Sequence, residues 1–281
     1  MSGTAPSLPE LLDDLASEHE ALEGIIAAIS DEDWDVPTPA QGWVVRDQIS
    51  HLAFFDDVAR LAVADPPGFS ALVSRVLEPG ADPMAEHLGR GRSMSGRQLL
   101  DWWREARQGM LSTFAGLDPD SRIAWFGPAM GVRSFVSARL METWAHGYDV
   151  ADALGIVPVP TARLRHVAQL GVRARGFSYA VHGRELPTAH VSVELEGPGG
   201  ENWSWGGGGD GGSHVITGMG RSDLVRGPAL DFCLVVTQRR NIADTALVIE
   251  GPAAQEWMQI AQAFAGPPGP GRPAAGASRR I

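Results

Sequence analysis

Met141-Glu142-Thr143-Trp144-Ala145-His146-Gly147-Tyr148-Asp149 decides how this chain is read. In a helix, Glu142 and His146 stand at i and i+4, on one face and one turn apart. Asp149 follows three residues later on the same face. A second stretch, Gly42-Trp43-Val44-Val45-Arg46-Asp47-Gln48-Ile49-Ser50-His51-Leu52, carries Asp47 one turn before His51. His51 on a facing helix would close a His2Glu set. Three protein ligands leave a position for water or substrate, which distinguishes catalytic zinc from structural zinc. The bland alternative makes His51 and His146 hydrogen-bonded core histidines and Glu142 a surface acid, because a Glu-x-x-x-His spacing is short. Against it, the neighbours of Glu142 are apolar or aromatic, and an unpartnered buried carboxylate costs roughly several kcal/mol.

Working outward, the chain alternates between helical periodicity and loops. Leu8, Leu11, Leu12, Leu15, Leu22, Ile25, Ile26 and Ile29 recur at helical spacing and predict a first helix ending near Ser30. A second is expected over 45–64, stopped by Pro66-Pro67. A third begins after Ser95, a good N-cap, and carries Leu99, Leu100, Trp102, Trp103, Met110, Leu111 and Phe114. Between these two, residues 66–94 form a Gly- and Pro-rich insert around a short helix at 69–77, suited to a lid or pocket wall. A fourth helix is expected over 134–154 and a fifth over 161–180.

The pattern changes after Pro187. His190-Val191-Ser192-Val193-Glu194-Leu195-Glu196 alternates with period two, as a half-buried strand does. Trp203-Ser204-Trp205 alternates again, and Val215-Ile216-Thr217 reads as a third strand. A helix over 227–239, a strand over 246–249 and a closing helix over 252–264 complete a small α+β domain. The expected organisation is a helical metal-binding domain over 1–185, an α+β domain over 186–266 and a disordered tail over 267–281, rich in Pro, Gly and Arg.

Composition narrows the function classes. The chain has 281 residues and a formal net charge of -11, which argues against nucleic acid, whose binders need a basic face. No uncharged apolar run reaches the length of a membrane span. The N-terminus lacks a signal-peptide pattern, so a cytoplasmic location is expected. The single cysteine, Cys233, sits in an apolar run and excludes both an intrachain disulfide and a cysteine-based zinc site. The glycine-rich segment 206–212 lacks the Gly-Lys-Ser/Thr ending of a phosphate loop and reads as a hairpin connection. His19, His87, His166, His182, His190 and His214 lack ligand-like partners in sequence and read as surface or satisfied histidines. Trp43 reads as a staple at the entry of the second helix. No Gly-x-Ser-x-Gly elbow is present, which argues against a serine hydrolase.

The stretches "GWVVRDQISHL" and "ETWAHGYDVADALG" resemble the two signatures of the mycothiol-dependent maleylpyruvate isomerase N-terminal family, within the DinB-like metal-binding four-helix bundles. "GPALDFCLVVTQRR" and "LVIEGPAAQEWMQIAQAFAGPPG" are similar to the C-terminal domain of that family, which resembles sterol-carrier-like α+β modules. The resemblance implies an α+β protein made of a DinB-like four-helix bundle and a sterol-carrier-like domain. It implies His51, Glu142 and His146 as ligands of a divalent metal, zinc first, with nickel, iron or manganese as alternatives. It also implies a catalytic Arg239, with Arg240 a near alternative, binding a substrate carboxylate by a bidentate pair. Asp47 and Asp149 are candidates for orienting the imidazoles from behind. The cosubstrate would be mycothiol or another low-molecular-weight thiol. The insert over 66–94 departs from the family pattern and leaves the substrate open.

Three functions stand on these residues. The leading one is a metal-dependent, thiol-dependent isomerase or S-transferase acting on a small electrophilic or acidic metabolite. The second drops the thiol and uses the metal as a Lewis acid in hydrolysis, elimination or cyclisation. The third is a non-enzymatic small-molecule binding protein with a purely structural metal.

Overall fold

A computed structural model describes residues 6–78, 80, 82–206, 223–269 and 271–276. The chain divides into two compact units, Met1–Pro158 and Val159–Ile281.

Four long helices build the first unit: α1 (Leu8–Ile26), α2 (Val45–Ala64), α5 (Gly96–Ala115) and α6 (Val132–Leu154). Each begins or ends where the sequence supplies a local reason. At α1, Ser7 Oγ accepts from the Glu10 amide while the Glu10 carboxylate accepts from the Ser7 amide, a reciprocal capping box. Ser95 and Gln98 repeat the device at α5. At α2 the Asp47 carboxylate accepts from the Val44 amide at 3.0 Å. α6 ends at Gly155, whose φ of +67° suits the left-handed cap. The pairs α2 with α5, α1 with α6, α2 with α6 and α1 with α5 pack on one another. Their shared core holds Leu22, Ile26, Val45, Ile49, Leu52, Leu99, Trp103 and Val150.

Between α2 and α5 the insert forms two helices, α3 (Pro66–Val76) and α4 (Pro83–Arg92). Asp65 and Asp82 cap them by accepting from the Gly68 and Ala85 amides. The sequence suggested α3 but not α4, whose Gly89 and Gly91 mask its helical character. Both helices pack on α2. A side chain at Gly91 would collide with Ser50, so glycine allows α4 to approach α2 closely. That approach lets Ser50 Oγ donate to the His87 carbonyl at 2.7 Å. A two-stranded hairpin, β1 (Arg122–Ile123) and β2 (Met130–Gly131), precedes α6.

The second unit begins with α7 (Leu164–Arg173) and α8 (Arg175–Val181). These helices, expected as one segment of the helical domain, belong with the sheet instead. The reason is packing: α7 lies on α9 (Ala229–Val236), and Gly171 gives Val236 and Phe232 the room to approach. The sheet contains β3 (Val191–Glu196), β4 (Asn202–Trp205), β5 (Asp223–Pro228) and β6 (Val248–Glu250), in the order β4-β3-β5-β6. β3 runs parallel to β5, and the two outer pairs are antiparallel. Val191, Val193 and Leu195 point into the core while Glu194 and Glu196 face outward, as the period-two reading required. α9 and α10 (Pro252–Ile260) pack against β5, with Phe232 and Trp257 fully buried.

β5 was absent from the sequence reading. The strand expected at Val215-Ile216-Thr217, like the glycine-rich link over 207–212, lies outside the described residues. The tail, expected to be disordered, forms neither helix nor strand over 267–269 and 271–276, yet it is held at two points. Asn241 Nδ2 donates to the Arg272 carbonyl, and the Ala275 amide donates to Asp244 Oδ2, each at 2.8 Å. These bonds offset part of the ordering cost of an extended segment. No described helix is long and apolar enough to cross a membrane.

Candidate metal centre

α2 and α6 turn their polar stripes toward each other inside the first unit. His51 comes from α2, and Glu142 and His146 from α6. One ligand atom from each lies within 4.8 Å of the other two. His146 Nε2 is 3.2 Å from Glu142 Oε2, and His51 Nε2 is 3.9 Å from the same oxygen. The two imidazole rings are 4.5 Å apart between centroids. The side chains are 13%, 24% and 11% exposed for His51, Glu142 and His146, so the cluster is sheltered but still reached by solvent. Two imidazoles and a carboxylate are a donor set for divalent zinc and its first-row neighbours.

A residue that sequence reasoning missed holds this cluster in shape. Gln48 is fully buried one turn before His51's ring, and its Oε1 lies 2.5 Å from His146 Nδ1. Gln48 Nε2 donates to Thr38 Oγ1 at 2.9 Å, and Thr38 Oγ1 donates to the Trp43 carbonyl at 3.0 Å. Because the amide nitrogen is committed to Thr38, Oε1 acts as acceptor and His146 Nδ1 as donor. With the proton on Nδ1, Nε2 carries the lone pair 3.2 Å from Glu142 Oε2, an arrangement that suits both atoms to one cation. A glutamine behind a candidate ligand has no motif, so only the i, i+3 spacing to His51 could have suggested it.

Asp47 does not take the role of orienting an imidazole. Its carboxylate is fully buried and accepts from Arg92 Nε and Nη2 at 2.9 and 2.8 Å, besides capping α2. It ties the insert to α2 instead. Asp149 is buried on α6 one turn beyond His146. Trp43, read as a helix-entry staple, stands over the cluster. Its ring is parallel to His146 within 12° at 6.0 Å, and 5.4 Å from His51.

Of the two roles expected for His87, surface or satisfied, the structure rules out the surface one. α4 buries it beside His51, with ring centroids 5.6 Å apart, and stacks it on Phe54 at 4.7 Å. His19 is buried too, 3.9 Å from Asp56 and edge-on to Trp103. Neither of its ring nitrogens makes a hydrogen bond among the described residues. Burial, with Arg107 and Arg139 nearby, pushes the His19 pKa well below its ordinary range.

Arg239 lies in the second unit, just after α9. Its amide donates to the Leu234 carbonyl, its Nη1 donates to the Thr237 carbonyl at 2.7 Å, and its guanidinium lies over the Phe264 ring at 6.0 Å. The preceding Gln238 has φ of +60°, a strained conformation for a non-glycine residue. Arg240, the near alternative, donates from Nη1 to the Arg239 carbonyl. Cys233 is fully buried against the Leu164 carbonyl, and burial pushes its thiol pKa well up. The protein's one thiol is therefore locked away from solvent.

The fold and the cluster define a class: a two-unit α+β protein whose helical bundle carries a three-residue candidate cation site. Residues 15–151 match the family model described as Mycothiol maleylpyruvate isomerase N-terminal domain. Two uncharacterized proteins of Mycobacterium tuberculosis, from strains CDC 1551 and H37Rv, are each 40% identical over 259 residues, covering 92% of this chain and 96% of the relative. The chain belongs to the mycothiol maleylpyruvate isomerase N-terminal domain family. Crystal structures of a mycothiol-dependent maleylpyruvate isomerase and of a mutant form of it share the fold, with TM-scores of 0.56 and 0.57. At 13% and 12% identity they cover 89% of this chain and 96% of their own.

Proposed function

We propose that this protein is a divalent-metal enzyme that uses a low-molecular-weight thiol to isomerise, or to conjugate, a small electrophilic metabolite. The observation that carries the reading is the convergence of His51, Glu142 and His146 on one point between two helices. Family membership adds to it, since the family takes its name from a mycothiol-linked isomerase. The two units are read as a DinB-like bundle and a sterol-carrier-like domain.

In this reading His51, Glu142 and His146 hold the metal, zinc first. When bound, such an ion supplies Lewis acidity and keeps a coordinated thiol ionised at neutral pH. The chain's own residues do the rest. Gln48 keeps His146 in the ligating tautomer, and Trp43 shields both imidazoles from water. Arg239, in the second unit, is the residue proposed to bind a carboxylate of the substrate. The thiol is exogenous, because Cys233 is buried in the second unit and is the chain's one cysteine. Attack of the thiol sulfur on an electrophilic double bond, rotation about the resulting single bond and loss of the thiol give isomerisation. Protonation of the adduct gives a thiol conjugate.

The test is elemental analysis of wild type beside His51→Ala and His146→Ala, followed by turnover assays with and without added thiol. About one metal per wild-type chain, lost in both variants, supports the site. A wild type that neither contains nor rebinds zinc, nickel, iron or manganese overturns it. Turnover that ignores added thiol replaces this reading with metal-assisted chemistry that needs none.

A further inference from the structure

The candidate metal centre does not stand in polar surroundings. One turn along α2 from His51, the Phe55 ring lies 4.6 Å from the His51 ring. From Phe55 the aromatic contacts continue in two directions. Toward α4, Phe54 lies 5.1 Å from Phe55 and stacks on His87. Toward the β1–β2 loop, Trp125 and Phe126 are each 6.1 Å from Phe55 and are backed by Phe69 of α3.

These rings differ from the aromatic residues of the bundle core. Phe114, Phe135 and Trp103 are sealed, at 0%, 2% and 0% exposure. Phe54, Phe55, Trp125 and Phe126 are only half-buried, and so is Trp43 on the other side of the imidazoles. A partly open aromatic surface continuous with a few convergent polar groups is the usual anatomy of a small-molecule site. The polar groups fix orientation, and the rings supply apolar area and edge-to-face contacts. Phe54 and Phe55 come from α2, and Trp125 and Phe126 come from the β1–β2 loop, outside the four long helices.

We propose that Phe54, Phe55, Trp125 and Phe126 form the binding wall for a ring-bearing, apolar part of the substrate. The wall sets substrate class, while the metal cluster sets the chemistry. The inference rests on the reading of His51, Glu142 and His146 as the reacting centre. It adds that the electrophile carries an aromatic or comparably flat apolar group next to its reactive bond.

The test uses the full chain and two probes, trans-cinnamate and fumarate. Both carry a carboxylate on a double bond, and cinnamate adds a phenyl ring. Equilibrium binding is measured for wild type, Phe55→Ala, Phe55→Leu and Trp125→Ala, with metal content determined on each sample. Cinnamate is expected to bind about tenfold more tightly than fumarate to wild type. Phe55→Ala and Trp125→Ala are each expected to weaken cinnamate by roughly fivefold at unchanged metal content, with Phe55→Leu recovering part of the loss. Should Phe55→Ala fail to fold, Trp125→Ala in the loop carries the test. Equal binding of the two probes, or ring truncations without effect, overturns the wall. A metal-loaded wild type without the preference overturns the wall and leaves the metal centre standing. A wild type that neither contains nor rebinds metal and still prefers cinnamate supports the wall and overturns the metal centre.

Discussion

Gln48 and His146 are joined across the α2–α6 interface by a hydrogen bond from imidazole Nδ1 to amide Oε1. The contact links α6 to the turn before α2, through Thr38 and the Trp43 carbonyl. Gln48→Leu removes the acceptor while keeping similar volume. The expected outcome is a folded protein whose metal affinity falls about 10- to 100-fold, the usual cost of losing a group that orients a ligand. Competition with a chromophoric chelator measures it.

Arg92 and Asp47 hold the insert against the bundle. Arg92→Ala leaves the buried Asp47 carboxylate with the Val44 amide as its remaining hydrogen-bond donor among the described residues. The loss is expected to be about 1–3 kcal/mol of stability, read from urea denaturation. Limited proteolysis is expected to cut first within 66–94.

Arg139 donates from Nε and Nη2 to Asp56 Oδ1, with both side chains buried. Arg139→Leu strands the carboxylate, and a destabilisation of about 3–5 kcal/mol is expected in chemical denaturation. Adding Asp56→Leu to it is expected to recover much of that loss, because the double replacement leaves no uncompensated charge.

His19 gives the fold an acid-side weakness. Its pKa is depressed in the folded protein, so the unfolded chain takes up a proton first as pH falls. Stability is therefore full above about pH 6.5 and declines below it, at a slope of up to about 1.4 kcal/mol per pH unit, until the depressed folded value is reached. Asp56, whose pKa burial raises, contributes with the opposite sign in the more acidic carboxylate range. Urea midpoints at pH 7.5 and 5.5 are expected to differ in wild type and to converge in His19→Leu.

Cys233 is expected to resist a thiol-reactive dye in the native protein and to react stoichiometrically in denaturant. Burial both blocks access and suppresses the thiolate. Fast native labelling would contradict the described packing of α9 against Leu164.

Much of the first unit could be read from local signals. Val45 and Ser95 mark helix starts because their caps lie within a few residues, and Glu142 and His146 share a face by spacing alone. α4 was hidden because Gly89 and Gly91 lower helix propensity, and their purpose, close approach to Ser50, exists only in the tertiary structure. The positions of His87 and Trp43 beside the imidazoles depend on that same packing. In the second unit, β5 runs directly into α9 through Gly227-Pro228, so the apolar signal of the helix overran the strand. The assignment of α7 to the sheet rests on Gly171, whose meaning lies in the neighbour it admits.

The candidate ligands sit on α2 and α6, while part of the proposed aromatic wall sits on other stretches of chain. His51, Glu142 and His146 belong to α2 and α6, and Phe54 and Phe55 share α2 with His51. Trp125 and Phe126 sit in a loop, and His87 sits in an insert anchored through Asp47 and Ser50. On the proposed reading, drift in the loop would alter part of the wall while leaving the candidate ligands in place. Such a division lets one scaffold diversify across a lineage by trading short segments, each change remaining small enough for the bundle to survive it.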